Sequence, residues 1–143
     1  MSMFSEFWDY SLTALQFLLT PETRWVTCAI LVSLPIAALA SFSEPSAFSG
    51  KKDLYLLPFV LLVGFPLSLA IAIVFAAPSP SSPNHVGSFL LNALDLLALL
   101  FGIYCVYRAK GARWFTAAIV VAALWLLLGA GFVAGMSVSG DWL

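Results

Sequence analysis

Asp95 is the ionisable residue of this chain that lies farthest inside an apolar stretch. Asn92 precedes it by three residues, so on a helix the two side chains share one face. Placing a carboxyl group at the centre of a membrane helix costs about 2.5–3.5 kcal/mol even on insertion-based scales. We therefore expect Asp95 to face other helices or another subunit, and to carry its proton, because removal from water favours the neutral acid.

Three roles fit the pair Asp95 and Asn92. The first is structural, a hydrogen bond between helices with Ser33 or Ser68 as the partner, which would hold the bundle together. The second is a polar contact with a partner subunit. The third is the handling of an ion or proton within the membrane.

The remaining side chains offer little chemistry. His85 is the single histidine and lies outside the apolar stretches, so no histidine is placed to ligate haem. Cys28 and Cys105 stand alone in separate apolar stretches, without a CxxC pair. The sequence has no H-E-x-x-H motif and no glycine-rich phosphate loop. We expect a protein that is not an enzyme and that has no cofactor and no metal site.

The elements that position Asp95 are long apolar helices. Of the 143 residues, 62% are hydrophobic and only 9% are charged. A helix of about 20 apolar residues crosses the hydrocarbon core of a bilayer, and only helices and closed barrels satisfy their backbone there. The sequence predicts an all-α integral membrane protein: one domain over residues 1–143, a four-helix bundle with spans at about 22–40, 54–77, 86–107 and 114–136.

Residues 3–19 predict a short amphipathic helix ahead of the first span. Its polar stripe comprises Glu6, Asp9, Thr13 and Gln16, and aromatic and leucine side chains cover the rest. We expect this helix to lie in the membrane interface; the alternative is that it extends the first span. Pro21 favours a new helix, with Thr20 as its N-cap. Pro66, inside the second span, is expected to kink it.

Basic residues predict the orientation of the spans. Five of the six lie in two loops that should face the cytoplasm: Lys51, Lys52, Arg108, Lys110 and Arg113. Both termini and the Pro/Ser-rich loop at 78–85 then lie on the other side, and the expected location is the inner (plasma) membrane of a bacterium. These five side chains either contact anionic head groups or a partner, or act only as determinants of topology.

Small residues on the fourth span predict close helix packing. Gly131 and Gly135 form a GxxxG pair, and Ala118 and Ala122 are expected to extend the same face toward the cytoplasm. This face packs either within the bundle or against a second protein or a second copy.

The leading functional hypothesis is a non-catalytic accessory or scaffold subunit. Its expected partners are the lipid bilayer and other integral membrane subunits or copies of itself, but not nucleic acid, since the net charge is −1 and no basic stripe exists. One alternative is a small oligomeric channel or carrier that uses Asp95 and Asn92. A further alternative is a membrane immunity protein that binds a pore-forming toxin.

Overall fold

The structure, a computed structural model, describes residues 3–42, 57–109 and 112–141. All regular secondary structure in these ranges is helical. The elements are α1 Met3–Leu18, α2 Arg24–Phe42, a 3-10 helix Leu57–Val63, α3 Gly64–Val74, α4 His85–Arg108 and α5 Arg113–Ser139. Four helical stretches are long and apolar enough to cross a membrane, which confirms this part of the prediction: Arg24–Ser41, Leu57–Val74, His85–Arg108 and Arg113–Ser139.

The second of these stretches changes its helix type where a kink was predicted. It begins as the 3-10 helix and becomes α-helical at Gly64, so Pro66 lies in the first turn of α3. The N–H groups of a first turn have no partner within their helix, and proline loses nothing there. Pro66 thus lies two residues after a change of helix type within the stretch Leu57–Val74, and the kink expected there stays a prediction.

A threonine-rich turn joins α1 to α2. Thr20 was predicted as an N-cap, but α2 begins only at Arg24, and the Thr20 hydroxyl donates to the Phe17 carbonyl at 3.2 Å. Thr23 Oγ1 donates to the same carbonyl at 2.7 Å, and Thr27 Oγ1 donates to Leu18 O at 2.6 Å. Because the last carbonyls of a helix lack partners within it, these hydroxyls close the end of α1 instead of opening α2.

Helix α5 is the centre of the bundle. It packs against each of the other helices, and its Ala130, Val133 and Ala134 are fully buried. Helix α2 packs mainly on α5, tied there by the indole N–H of Trp125, which donates to Thr27 Oγ1 at 2.9 Å. Only 6% of the α2 stretch is buried, compared with 39% of the α5 stretch.

Helix α1 runs along the C-terminal half of α5 in the opposite direction. Leu18 lies against Gly129, and Tyr10 lies 3.3 Å from Ser137, oxygen to oxygen, so the two contacts are eight residues apart on both helices. Phe17 stacks on Phe132 between them, with ring centroids 4.1 Å apart. Two other sides of α1 remain open: the polar side at Asp9, Thr13 and Gln16, and an apolar stripe at Phe4, Trp8, Leu12, Leu15 and Leu19.

One end of the bundle, here called the Pro/Ser end, consists of the loop at 75–84 and the last turn of α5, Ser137–Gly140. The loop is hydrogen-bonded to this turn through Ala77 N to Ser137 O at 2.8 Å and Asn84 N to Val138 O at 2.9 Å. Asn84 also caps α4 by accepting from Gly87 N at 3.1 Å. These bonds fix the residue at which α4 begins, and they therefore fix the position of Asn92 and Asp95 along the length of the bundle.

Candidate functional site

Asp95 and Asn92 both lie on the open side of α4. Both side chains are exposed, and in the described parts of the chain no hydrogen bond or ion pair reaches the Asp95 carboxylate. The proposed structural partners use their hydroxyls on their own helices: Ser33 Oγ donates to Ile30 O at 2.7 Å and Ser68 Oγ to Gly64 O at 3.0 Å. Neither of these two serines, the examples given for an interhelical partner, is hydrogen-bonded to Asp95 in the structure.

A groove of about 440 Å³ between α4 and α5 surrounds the Asp95 carboxylate. A Cβ added at Gly131 would lie 3.7 Å from Asp95 Oδ2, so the glycine leaves the carboxylate room against the α5 backbone. The other lining residues are hydrophobic: Leu99, Leu124, Leu127, Leu128 and Phe132. The site is thus one acidic group on an otherwise apolar wall.

The groove continues along α4 and α5 toward the opposite end of the molecule. A second section of about 490 Å³ shares Leu99 and Leu124 with the first and reaches Tyr107 and Arg113. We call the two sections together the α4–α5 groove, and the end marked by Arg108 and Arg113 the basic end. The groove therefore extends from Arg113 at one end of α5 to Phe132, past the acidic group on α4.

The α5 wall of this groove has the spacing of a helix-packing seam. Five of its lining residues follow one another at alternating intervals of four and three positions: Ala117, Val121, Leu124, Leu128 and Gly131. Val120, Leu127 and Phe132 lie beside this line. Gly135 continues the same spacing, and a Cβ there would meet nothing within 4 Å. A mean interval of 3.5 residues is the repeat with which one helix presents a continuous line of contacts to another.

The predicted GxxxG pair is separate from the glycines that pack inside the bundle. Gly129 lies against Leu18, and a Cβ at Gly102 would come 2.7 Å from Val120 Cγ1. Gly131 and Gly135 are left on the open side of α5, beside α4.

Ala118 and Ala122 do not extend the face of Gly131 and Gly135. Ala118 lines a different groove of about 540 Å³, between α2 and α5, and Ala122 is half-buried. Nine residues separate Ala122 from Gly131, which is two and a half helical turns, so the two lie on opposite sides of α5. The prediction of one continuous small-residue face overlooked this half turn.

Two of the five predicted basic contact residues, Arg108 and Arg113, are described, and both are exposed at the basic end. The Arg108 guanidinium lies 6.0 Å from the centre of the Tyr104 ring, within cation–π range. Lys51, Lys52 and Lys110 lie outside the described residues. No group of three metal-ligating side chains occurs in the described residues, where Cys28 is exposed and Cys105 is buried.

Sequence reasoning missed two polar groups that the fold buries. Ser137 Oγ donates to Ala72 O at 2.8 Å and so joins α5 to α3. Thr116 Oγ1, near the basic end, is the one buried side-chain polar atom in the described residues that has no hydrogen-bond partner. Their polar type was visible in the sequence, but the side of α5 on which each lies depends on helix contacts that the sequence does not show.

Comparison with known proteins adds no assignment, because no protein family, curated protein or solved structure matches this chain.

Proposed function

We propose that this chain is an integral membrane protein with four spans that serves as a non-catalytic accessory or scaffold subunit of a membrane complex. The observation that carries the proposal is the open α4–α5 groove, which Asp95 lines; Asn92 is exposed one turn away on α4, and both side chains are unpaired in the described residues. A polar pair that packed only its own bundle would be sealed between helices. An exposed pair is suited to a contact with another membrane subunit.

The proposed orientation places the basic end in the cytoplasm of a bacterial cell and the protein in its inner membrane. Arg108 and Arg113 supply the positive charge that cytoplasmic loops retain. Tyr107 and Trp114, 69% and 78% exposed, lie at the same end and suit the head-group region. Both termini and the Pro/Ser end then lie on the opposite side.

In this orientation α1 lies at the non-cytoplasmic surface of the membrane. One side of α1 packs against α3 and α5, and two stripes of its surface remain open. Each stripe suits a different environment. The apolar stripe from Phe4 to Leu19 is suited to acyl chains, and the stripe with Asp9 and Gln16 is suited to water and head groups.

A binding role fits the groove better than a catalytic one. Catalysis by side chains requires several ionisable or nucleophilic groups that converge on one point. Asp95 is the only charged lining residue of its section of the groove, and Arg113 lines the other section at its far end. A hydrophobic wall with one polar anchor is instead the pattern of a helix-docking surface.

The test is purification from the native membrane in a mild detergent, with the mass and subunit composition of the intact particle measured. The proposal expects other membrane subunits in fixed stoichiometry with this chain. A particle that contains this chain alone would overturn it. Loss of ion flux in an Asp95→Asn variant that keeps its assembly would then favour an oligomeric channel or carrier.

A further inference from the structure

We propose that the α4–α5 groove binds a single transmembrane helix of a partner subunit, and that this helix carries a lysine or arginine at the level of Asp95. The inference rests on the proposed function and specifies which surface is used and what chemistry the partner must bring. It follows from the shape of the groove and from the charge that the groove exposes.

The shape of the groove fits a helix. Its two sections adjoin at Leu99 and Leu124, which line both, and Gly135 prolongs the α5 wall beyond Gly131. Alternation of contacts at four and three residues matches the repeat along which two helices interlock. A glycine in such a wall lets a second backbone approach closely. Gly131, near the end of the wall, lies next to the Asp95 side chain.

The exposed charge of the groove selects the chemistry of the occupant. Asp95 is an acid on an apolar surface, at a depth where water does not pair with it, and such residues are found paired inside membranes. A lysine or arginine on the docked helix would supply hydrogen-bond donors, and its positive charge would favour the ionised carboxylate over the protonated form expected for the unpaired acid. Asn92, one turn away on the same face, adds an amide that can bind the same side chain or the neighbouring backbone.

The described helices of a second copy do not carry the required cation in their interior. In the described helices every basic residue is the first or last residue of its helix: Arg24, His85, Arg108 and Arg113. Asp95 is eleventh of the 24 residues of α4 and therefore lies near the middle of a span. An acyl chain would fill the apolar wall, but it has no group to neutralise the acid. The partner that meets both requirements is a helix with a basic residue in its interior.

The experiment measures the binding of synthetic transmembrane peptides to the full chain in lipid bilayers. The peptides are leucine–alanine helices with one lysine at varied depth, or with leucine at that position. Energy transfer from a label on Cys28, which is exposed while Cys105 is buried, reports binding. We expect the best lysine peptide to bind roughly 5- to 30-fold more tightly than the leucine peptide, as expected for one interhelical polar contact worth about 1–2 kcal/mol.

Matched variants separate the charge from the shape. Asp95→Asn should remove the preference for lysine, while Asp141→Asn, an exposed acid beyond the end of α5, should leave it unchanged. Gly131→Ile keeps the acid but fills the groove, and should weaken binding of the lysine and leucine peptides alike. Folding of each variant is checked by its helical circular dichroism and elution volume.

Equal binding of lysine and leucine peptides would overturn the inference, and so would a lysine preference that survives Asp95→Asn. Energy transfer between labelled copies of this chain, if Asp95→Asn abolishes it, would assign the groove to a second copy. That result would also overturn the inference. The native particle tests the proposed function separately. If it holds other subunits and Asp95→Asn leaves their amounts unchanged, the accessory role stands and the inference about the groove fails.

Discussion

The Pro/Ser end and the part of the α4–α5 groove beside Asp95 both involve α5, but their glycines have opposite surroundings. At the Pro/Ser end, a Cβ on Gly140 would come 2.5 Å from the Ser79 carbonyl carbon, and one on Gly87, in the adjoining first turn of α4, would come 2.7 Å from Phe75 Cβ. Beside Asp95, Gly131 has ordinary van der Waals room, and Gly135, about one turn farther along α5, has nothing within 4 Å. The first two glycines are crowded by their own chain, whereas the second two have open space beside them.

This difference teaches how to separate folding from the proposed binding role. A glycine crowded by its own chain reports on stability, whereas a glycine beside open space can be changed with little effect on stability and so tests the proposed contact with a partner. Substitutions of the same kind in the two regions should therefore have opposite consequences.

Gly140→Ala should have the largest effect on folding. The residue has φ +78°, a left-handed conformation that costs an L-amino acid about 1–2 kcal/mol, and the new Cβ would collide with the Ser79 and Pro80 backbone. We expect a loss of roughly 2–4 kcal/mol in the free energy of unfolding, measured by thermal or detergent-induced loss of helical circular dichroism. A stability equal to that of the parent would show that the Pro/Ser end is looser than its hydrogen bonds indicate.

Gly129→Ala should come second. The added Cβ would lie 2.8–3.0 Å from three carbons of Leu18, so α1 must move away from α5. The expected cost is about 1–3 kcal/mol, the range for inserting a methyl group into a packed site. Gly131→Ala, two residues along the same helix, is the matched control, and similar losses in both variants would contradict the distinction between the two sides of α5.

Ser137→Ala should have a smaller effect. It removes the donor to the Ala72 carbonyl and the contact with the Tyr10 hydroxyl, which together join α5 to α3 and α1. Interhelical hydrogen bonds in membranes are worth about 0.6 kcal/mol on average, so we expect a loss of roughly 1 kcal/mol. Tyr10→Phe, which leaves the hydrogen bond from Ser137 to Ala72 in place, should lose less, and the reverse order would place the main interaction on α1.

Gly131→Ala and Gly135→Ala should have the smallest effect on folding. Neither Cβ meets a crowded neighbour, and alanine is favoured over glycine in helices by up to about 1 kcal/mol. Unfolding should therefore be unchanged or slightly delayed, while recovery of partner subunits with the purified chain should fall. A loss of stability greater than that of Ser137→Ala would show that these glycines serve the chain's own packing.

Helix lengths and positions could be predicted from the sequence because hydrophobicity is a property of each residue and does not depend on which helices pack together. The predicted start of the third span at 86 and its end at 107 each differ by one residue from α4, His85–Arg108. The 3-10 helix before α3 was not predicted, because a purely apolar run such as Leu57–Val63 does not indicate which hydrogen-bond pattern it will adopt.

The candidate site could be predicted in part. Asp95 and Asn92 were singled out by type and depth, but their partners could not be inferred, because the side of a helix that faces another helix depends on contacts distant in sequence. The same limit explains the wrong placement of Ala118. It is small like Gly131, but its size does not show that it lies on the side of α5 that faces α2. Small residues show where helices can approach, and only the packing shows which ones do.

The central place of α5 has a consequence for how the chain is made. Every other helix packs against α5, and α5 follows all of them in the sequence. In the proposed membrane arrangement, α2 enters the bilayer before its main packing partner exists, and its largely uncovered apolar surface suits it to remain surrounded by lipid for that period. On this proposal the helices are inserted one by one, but the bundle closes only when the ribosome has delivered α5.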